Sequence, residues 1–192
     1  MERRFDEKEH RYYLGDREIP GITRVLQSFG FGANPFYTEY GRDRGTFVHQ
    51  ATELYDRGEL DEATLDPVLA PYLEGWKKFR TETEFEPTRI EERLWVELRG
   101  YATTVDRVGI IGTSAIDLEI KCGKEEPWHR LQTGGQSYAC RINGIKVDHR
   151  AAVYLSQEGT YRMVPHKDKS DEEDFLALVS AYHVKTNYGG QS

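Results

Sequence analysis

Long hydrophobic runs are absent: no stretch of the 192 residues approaches the ~20 apolar residues that span a bilayer. The opening Met1-Glu2-Arg3-Arg4-Phe5-Asp6 also lacks the apolar core of a secretory signal, so the expected location is the cytoplasm. Cysteine is scarce. Cys122 and Cys140 cannot build a disulfide framework and are too few for a four-cysteine zinc or iron–sulfur site, and both read as reduced thiols. There is no internal repeat, low-complexity tract or linker rich in Pro, Gly or Ser, which leaves one domain over 1–186 and a frayed tail over 187–192. A basic excess is lacking too: 26 Lys and Arg against 33 Asp and Glu give a net charge of −7. That excludes a histone-like coating of nucleic acid, but not a local basic groove or an acid-lined metal site. What is present, 38% hydrophobic and 12% aromatic residues, is enough for a folded core.

The apolar pattern gives the elements. His10-Arg11-Tyr12-Tyr13-Leu14 and Arg17-Glu18-Ile19-Pro20 flank Gly15-Asp16 as a hairpin, and a short helix follows from Ile22 to Phe29. Phe47, Val48, Ala51, Leu54 and Tyr55 share one face of a helix over 40–57. Asp66-Pro67 supplies a cap and first-turn proline for a second helix to about Glu82, with Val68, Tyr72, Trp76 and Phe79 as its stripe. Three strands follow at 88–97, 101–110 and 114–121, rich in β-branched and aromatic residues. A helix over 128–140 crosses Gly134-Gly135; 145–155 and 160–165 read as a hairpin, and Ser170-Asp171-Glu172-Glu173 as the capping box of a last helix that buries Phe175, Leu178, Val179 and Tyr182. This order implies an α/β fold, a mixed sheet flanked by helices.

One segment carries chemistry. In Ile116-Asp117-Leu118-Glu119-Ile120-Lys121 a strand puts three apolar residues on one face and three charged ones on the other. With Asp106 on the neighbouring strand, two carboxylates crowd together and repel unless a divalent cation neutralises them, and hard oxygen ligands suit Mg²⁺ or Mn²⁺. The same alternation also fits an ordinary solvated strand face. On the first long helix Gly45, His49 and Glu53 form a stripe offset from the apolar one, with Gly45 leaving room for a ligand or strand. Glu53 either completes an acidic site or pairs with Arg42, Arg44 or Arg57. Gln132 can position an anion without adding charge, or lie on a helix surface. His129 and Arg130 read as solvent or phosphate contacts. Arg42, Arg44, Arg107, Lys124, Arg130 and Arg141 could track a nucleic-acid backbone or simply be solvated.

Asp106, thirteen residues before Glu119-Ile120-Lys121, resembles the signature of the PD-(D/E)xK nuclease superfamily. Gly45-Thr46-Phe47-Val48-His49, Glu119-Ile120-Lys121-Cys122-Gly123 and the Gln132-Thr133-Gly134-Gly135-Gln136-Ser137-Tyr138 helix are similar to its RecB-like exonuclease branch, as is the opening Tyr13-Leu14-Gly15 to Ile19-Pro20-Gly21-Ile22-Thr23 to the small phage versions. Two features depart from that pattern: Gln136 stands four residues after Gln132 where the branch has tyrosine, leaving the role of Tyr138 open, and cysteines for an iron–sulfur cluster are missing.

The resemblance implies a restriction-endonuclease-like fold and a metal-dependent deoxyribonuclease, an exonuclease in recombination, repair or phage DNA processing. It implies Asp106, Glu119, Lys121 and Gln132 as catalytic residues, and His49, Asp106, Glu119 and the Ile120 carbonyl as ligands of Mg²⁺ or Mn²⁺. Lys121 would orient the attacking water or stabilise transition-state charge. The partner it implies is linear DNA, single- or double-stranded, with a homo-oligomer or a recombination protein as further partners. The alternatives are a catalytically silent module that binds DNA or protein, and a hydrolase of another anionic substrate.

Overall fold

The run of β-branched and apolar residues after Glu86 builds the centre of the molecule. In the computed structural model, which describes residues 1–32 and 39–189 and leaves out the side chains of 39–42, this run forms three antiparallel strands: β4 (Glu86–Val96), β5 (Tyr101–Ile111) and β6 (Ser114–Lys121). β7 (His149–Leu155) pairs parallel to β6, and β8 (Tyr161–Pro165) pairs antiparallel to β7, giving the order β4-β5-β6-β7-β8. A parallel pair needs a crossover, and α4 (His129–Ile142) supplies it. Ahead of this sheet lie a three-stranded antiparallel sheet of β1 (Arg3–Asp6), β2 (Arg11–Leu14) and β3 (Arg17–Ile19), then α1 (Ile22–Gln27), α2 (Glu39–Arg57) and α3 (Ala70–Thr83). α5 (Ser170–Tyr188) closes the chain.

The core lies on both faces of the five-stranded sheet. Trp76 and Phe79 of α3 and Val48 of α2 pack on Ile116, Leu118, Ile120 and Val153. On the other face, Ala139 and Cys140 of α4, Phe175 and Val179 of α5, and Ile22 and Val25 of α1 cover Leu94, Val96 and Tyr101. Tyr12, Leu14 and Ile19 seat the small sheet on Ala102 and Trp95. The paired glycines of α4 are explained by α5: a Cβ on Gly134 would stand 2.8 Å from the Asp171 carbonyl oxygen, and one on Gly135 2.6 Å from the Phe175 ring. Only a helix without side chains there lets α5 approach this closely.

Several sequence expectations are corrected. β1 joins the hairpin as a third strand. Phe47 lies on the exposed side of α2 rather than in its apolar stripe. Asp66 accepts the Val68 amide in a turn, so α3 starts later, at Ala70, and Val68 is exposed. Residues 145–148 precede β7 rather than belonging to it. Ser170 is not a cap: Lys169 holds that position, and Asp168 accepts the Ser170 amide. Helix α5 runs through Asn187 to Tyr188, where a frayed tail was expected; residues 190–192 lie outside the described residues. Among the described residues no helix is long and apolar enough to cross a membrane.

Candidate active site

The charged face of β6 is buried, not solvated. Asp117, Glu119 and Lys121 turn toward α4, and Asp117 and Glu119 are nearly inaccessible. Gln132 and Gln136, one helical turn apart on α4, reach the same carboxylate: Gln132 Nε2 donates to Glu119 Oε1 at 2.7 Å and Gln136 Nε2 to Oε2 at 2.6 Å. Lys121 Nζ donates to Glu119 Oε1 at 2.7 Å and to Gln132 Oε1 at 3.0 Å. The surplus negative charge is thus partly answered by one ammonium and two neutral donors. Burial, and then the Asp106 charge, still raise the Glu119 pKa above the usual carboxylate value.

Across the β5–β6 ladder, one step beyond the Arg107–Leu118 pair, Asp106 faces Glu119. Its Oδ2 accepts the Ile120 amide at 2.7 Å, and its Oδ1 lies 3.5 Å from His49 Nδ1 on α2. Burial works to raise the Asp106 pKa, but the His49 charge and hydrogen bond, the Ile120 amide and Lys121 outweigh it and hold the carboxyl below its ordinary value. Burial likewise opposes the His49 charge, yet Asp106 and Glu91 lift its pKa well above the usual imidazole value.

Glu91 is the acid that sequence reasoning missed. It sits in β4 between Ile90, paired with Arg107, and Glu92, paired with Val105, which sets it opposite Asp106. Its backbone is left-handed, φ 50°, a conformation costing a residue with a side chain about 1–2 kcal/mol. What holds it there is Arg107. This guanidinium is fully buried and donates to Glu91 Oε1 at 3.1 Å, Asp56 Oδ2 at 2.6 Å and Thr52 Oγ1 at 3.2 Å. Asp56 in turn accepts from Trp76 Nε1 and Arg80, which ties α2, α3 and β5 into one polar joint behind the site. Strain fixed by surrounding structure is common at functional sites.

His49, Glu91 and Asp106 each offer a ligand atom, and these atoms lie within 4.8 Å of one another. Two carboxylates and an imidazole suit a divalent cation such as Mn²⁺ or Mg²⁺. All three line a groove of about 660 Å³ together with Glu119, Lys121, Gln132, Glu53 and residues of the small N-terminal sheet.

The structure brings His49, Asp106, Glu119, Lys121 and Gln132 to the lining of one groove. Details differ from the sequence expectations. Glu119 lies outside the three-residue ligand group, its oxygens engaged by Gln132, Gln136 and Lys121, and Ile120 reaches Asp106 through its N–H. Glu53 pairs with Arg57 at 3.0 Å while lining the groove. A Cβ on Gly45 would meet nothing within 4 Å, so this glycine borders the groove rather than admitting a strand. Arg107 is a buried brace, not a nucleic-acid contact. His129 is buried against Tyr154 Oη at 2.7 Å, Arg130 is paired with Asp171 and Asp168, and Arg141 with Glu172. The Tyr138 ring packs under Arg141, and the Arg42 side chain lies outside the described residues. Gln136 could have been found from its spacing to Gln132. Glu91 had no such signal, because its left-handed backbone breaks the strand alternation.

Neither a family model nor a curated protein matches the sequence. Among solved structures, the crystal structure of a candidate exonuclease from Eubacterium rectale superposes with a TM-score of 0.52 over 78% of this chain and 69% of that one, at 13% identity. The likeness is one of fold, a mixed sheet flanked by helices. An alkaline exonuclease from Laribacter hongkongensis is also similar, with a TM-score of 0.49, 15% identity and 88% of each chain covered. In this fold Asp106 and Glu91, at the middle of β5 and β4, meet Glu119 near the C-terminal end of β6 and His49 of α2 along one groove.

Proposed function

We propose that the chain is a divalent-metal-dependent nuclease hydrolysing phosphodiester bonds of DNA, acting from strand ends as an exonuclease. The observation that carries this reading is the convergence of His49, Glu91 and Asp106 within 4.8 Å, in one groove with the Glu119–Lys121 pair. Those three residues, with Glu119 and the Ile120 carbonyl beside them, would hold Mg²⁺ or Mn²⁺, the imidazole shifting preference toward Mn²⁺. When bound, the cation supplies Lewis acidity toward a phosphoryl oxygen and neutralises the clustered acids.

The remaining work falls to the chain's own groups. Asp106 is fixed through Oδ2 by the Ile120 amide, which leaves Oδ1, 3.5 Å from His49 Nδ1, as the oxygen that would turn to a cation once the imidazole gives up its proton. Gln132 and Gln136 orient Glu119: Oε1 is shared between Gln132 and Lys121, while Oε2, which accepts from Gln136, keeps a second lone pair for another partner. Lys121 shares that carboxylate from the groove side, where its ammonium can hold the attacking water or meet charge building on the phosphate. A neutral Gln132 steers without adding to the repulsion a phosphate already meets.

Labelled linear and closed circular DNA incubated with Mn²⁺, Mg²⁺ or excess EDTA tests the reading. Linear DNA should be degraded with either cation and spared in EDTA, and the closed circle should survive. Cleavage undiminished in EDTA removes the metal mechanism; nicking of the circle replaces exonuclease with endonuclease; no cleavage of any DNA replaces the enzyme with a binding module. Mn²⁺ at a hundred times its Kd should also raise stability by about 2.7 kcal/mol, because it binds only the folded site.

A further inference from the structure

The groove does not end at the acids. Its other wall comes from the small N-terminal sheet and α1, through Arg11, Tyr12, Glu18, Thr23 and Arg24. This wall is anchored to the strand that carries Asp106. Tyr12 Oη lies 2.8 Å from Thr104 Oγ1, the Ala102 amide donates to Pro20 O at 3.0 Å, and Gly21 bridges to Ala102. Thr104 stands two residues, about 7 Å, before Asp106 along β5.

Charge is distributed unevenly along this groove. At one end Glu91, Asp106, Glu119 and Glu53 outnumber Lys121 and His49 and repel a phosphate. At the other, the lining acid is Glu18, and it stands between two arginines: its Oε2 accepts from Arg11 Nη1 at 3.3 Å and its Oε1 from Arg24 Nη1. Both guanidinium groups are about half exposed, 47% and 56%, and face water; Arg11 Nη2 has in addition only a long contact with the exposed Glu9, at 3.8 Å, so both remain open to a ligand. Exposed ion pairs of this kind hold weakly, and a carboxylate bridging two guanidinium groups offers the same oxygen geometry as a phosphodiester.

We propose that Arg11 and Arg24 form a phosphodiester-binding subsite for the nucleic-acid strand outside the scissile position, with Glu18 as an internal competitor that the phosphate displaces. The ligand class rests on the nuclease reading above. The subsite gives the groove an anchor for a polyanion at the end where acids do not repel it, and Glu18 weakens that anchor, so a strand is held loosely enough to advance.

The test measures anisotropy of a fluorescein-labelled single-stranded oligodeoxynucleotide with Mn²⁺ over a range of KCl, in an Asp106→Asn background that prevents cleavage. Arg11→Ala and Arg24→Ala should each weaken binding about fivefold and lower the slope of log affinity against log salt by about 0.7. Glu18→Gln should tighten binding at least about twofold. Lys146→Ala, which removes an exposed cation paired with Asp148 outside the groove, should match the parent. Arginine variants indistinguishable from Lys146→Ala, or weaker binding by Glu18→Gln, overturn the subsite. A parallel cleavage assay of the native chain separates the two claims. Cleavage without arginine-dependent binding leaves the nuclease and removes the subsite; arginine-dependent binding without cleavage does the reverse; neither binding nor cleavage overturns both.

Discussion

Asp117→Asn is expected to make the protein more stable. Asp117 is fully buried in β6, and neither carboxylate oxygen meets a hydrogen-bond donor among the described residues. Arg150 lies close enough to attract it, but that guanidinium already donates to Arg130 O, Thr133 Oγ1, Asp168 O and Asp171 Oδ2. Burial, then the Glu119 and Asp106 charges, push the Asp117 carboxyl well above its usual pKa. Because the folded pKa is raised, the folded chain retains the Asp117 proton that the unfolded chain releases above its ordinary value of 3.8. Stability at this residue therefore falls as pH rises from about 4 toward the raised pKa, and stays low above it. Asparagine keeps the shape and removes the charge. A buried polar group without a partner costs about 1–3 kcal/mol, and since the amide still lacks partners only the lower part is recovered, about 1 kcal/mol at pH 7.5. For a chain of this length that is a rise in Tm of about 2–4 °C. Thermal and urea unfolding of both proteins at pH 7.5 and pH 4 would measure it, the gain shrinking toward pH 4, where the folded chain keeps the proton and the unfolded chain has begun to regain it. An Asn variant no more stable than the parent at pH 7.5, or a gain independent of pH, would refute the reasoning.

Gly134→Ala, usually stabilising inside a helix, should instead cost about 1–3 kcal/mol in urea unfolding, because its Cβ meets the Asp171 backbone oxygen at 2.8 Å. Arg107→Ala should cost about 3–5 kcal/mol by leaving Asp56 buried with fewer donors; a loss under about 1 kcal/mol in the same assay would contradict the brace. Glu91→Gln should weaken Mn²⁺ binding at least about tenfold by calorimetry with the fold retained, while unchanged affinity would take Glu91 out of the ligand group. Lys121→Ala should still bind DNA and Mn²⁺ yet cleave at least ~100-fold more slowly at saturation, and a loss confined to affinity would make it a binding residue.

Much was readable from the chain itself. Periodicity separated helices from strands because a 2-residue and a 3.6-residue repeat place apolar groups differently, so β6 was delimited at Ser114 and Lys121 as it stands in the fold. Local spacing also put Asp106, Glu119 and Lys121 within reach of one another, since a tight turn between neighbouring strands leaves little freedom in register. His49 and Gln132 entered through the ordered resemblance, and a helix and a crossover do carry them to that strand end. What local pattern could not decide was which charges the fold covers. Asp117 and Arg107 have the composition of a solvated strand, yet α4 buries the first and α2 with α3 the second, because helices must cover both faces of this sheet. Nor could it supply Glu91, whose place depends on a left-handed backbone in β4 and on Arg107, Asp56 and Thr52 converging from elements far apart in sequence. A residue positioned by contacts between distant elements leaves no periodic trace in its own segment, and only the tertiary structure brings it to the site.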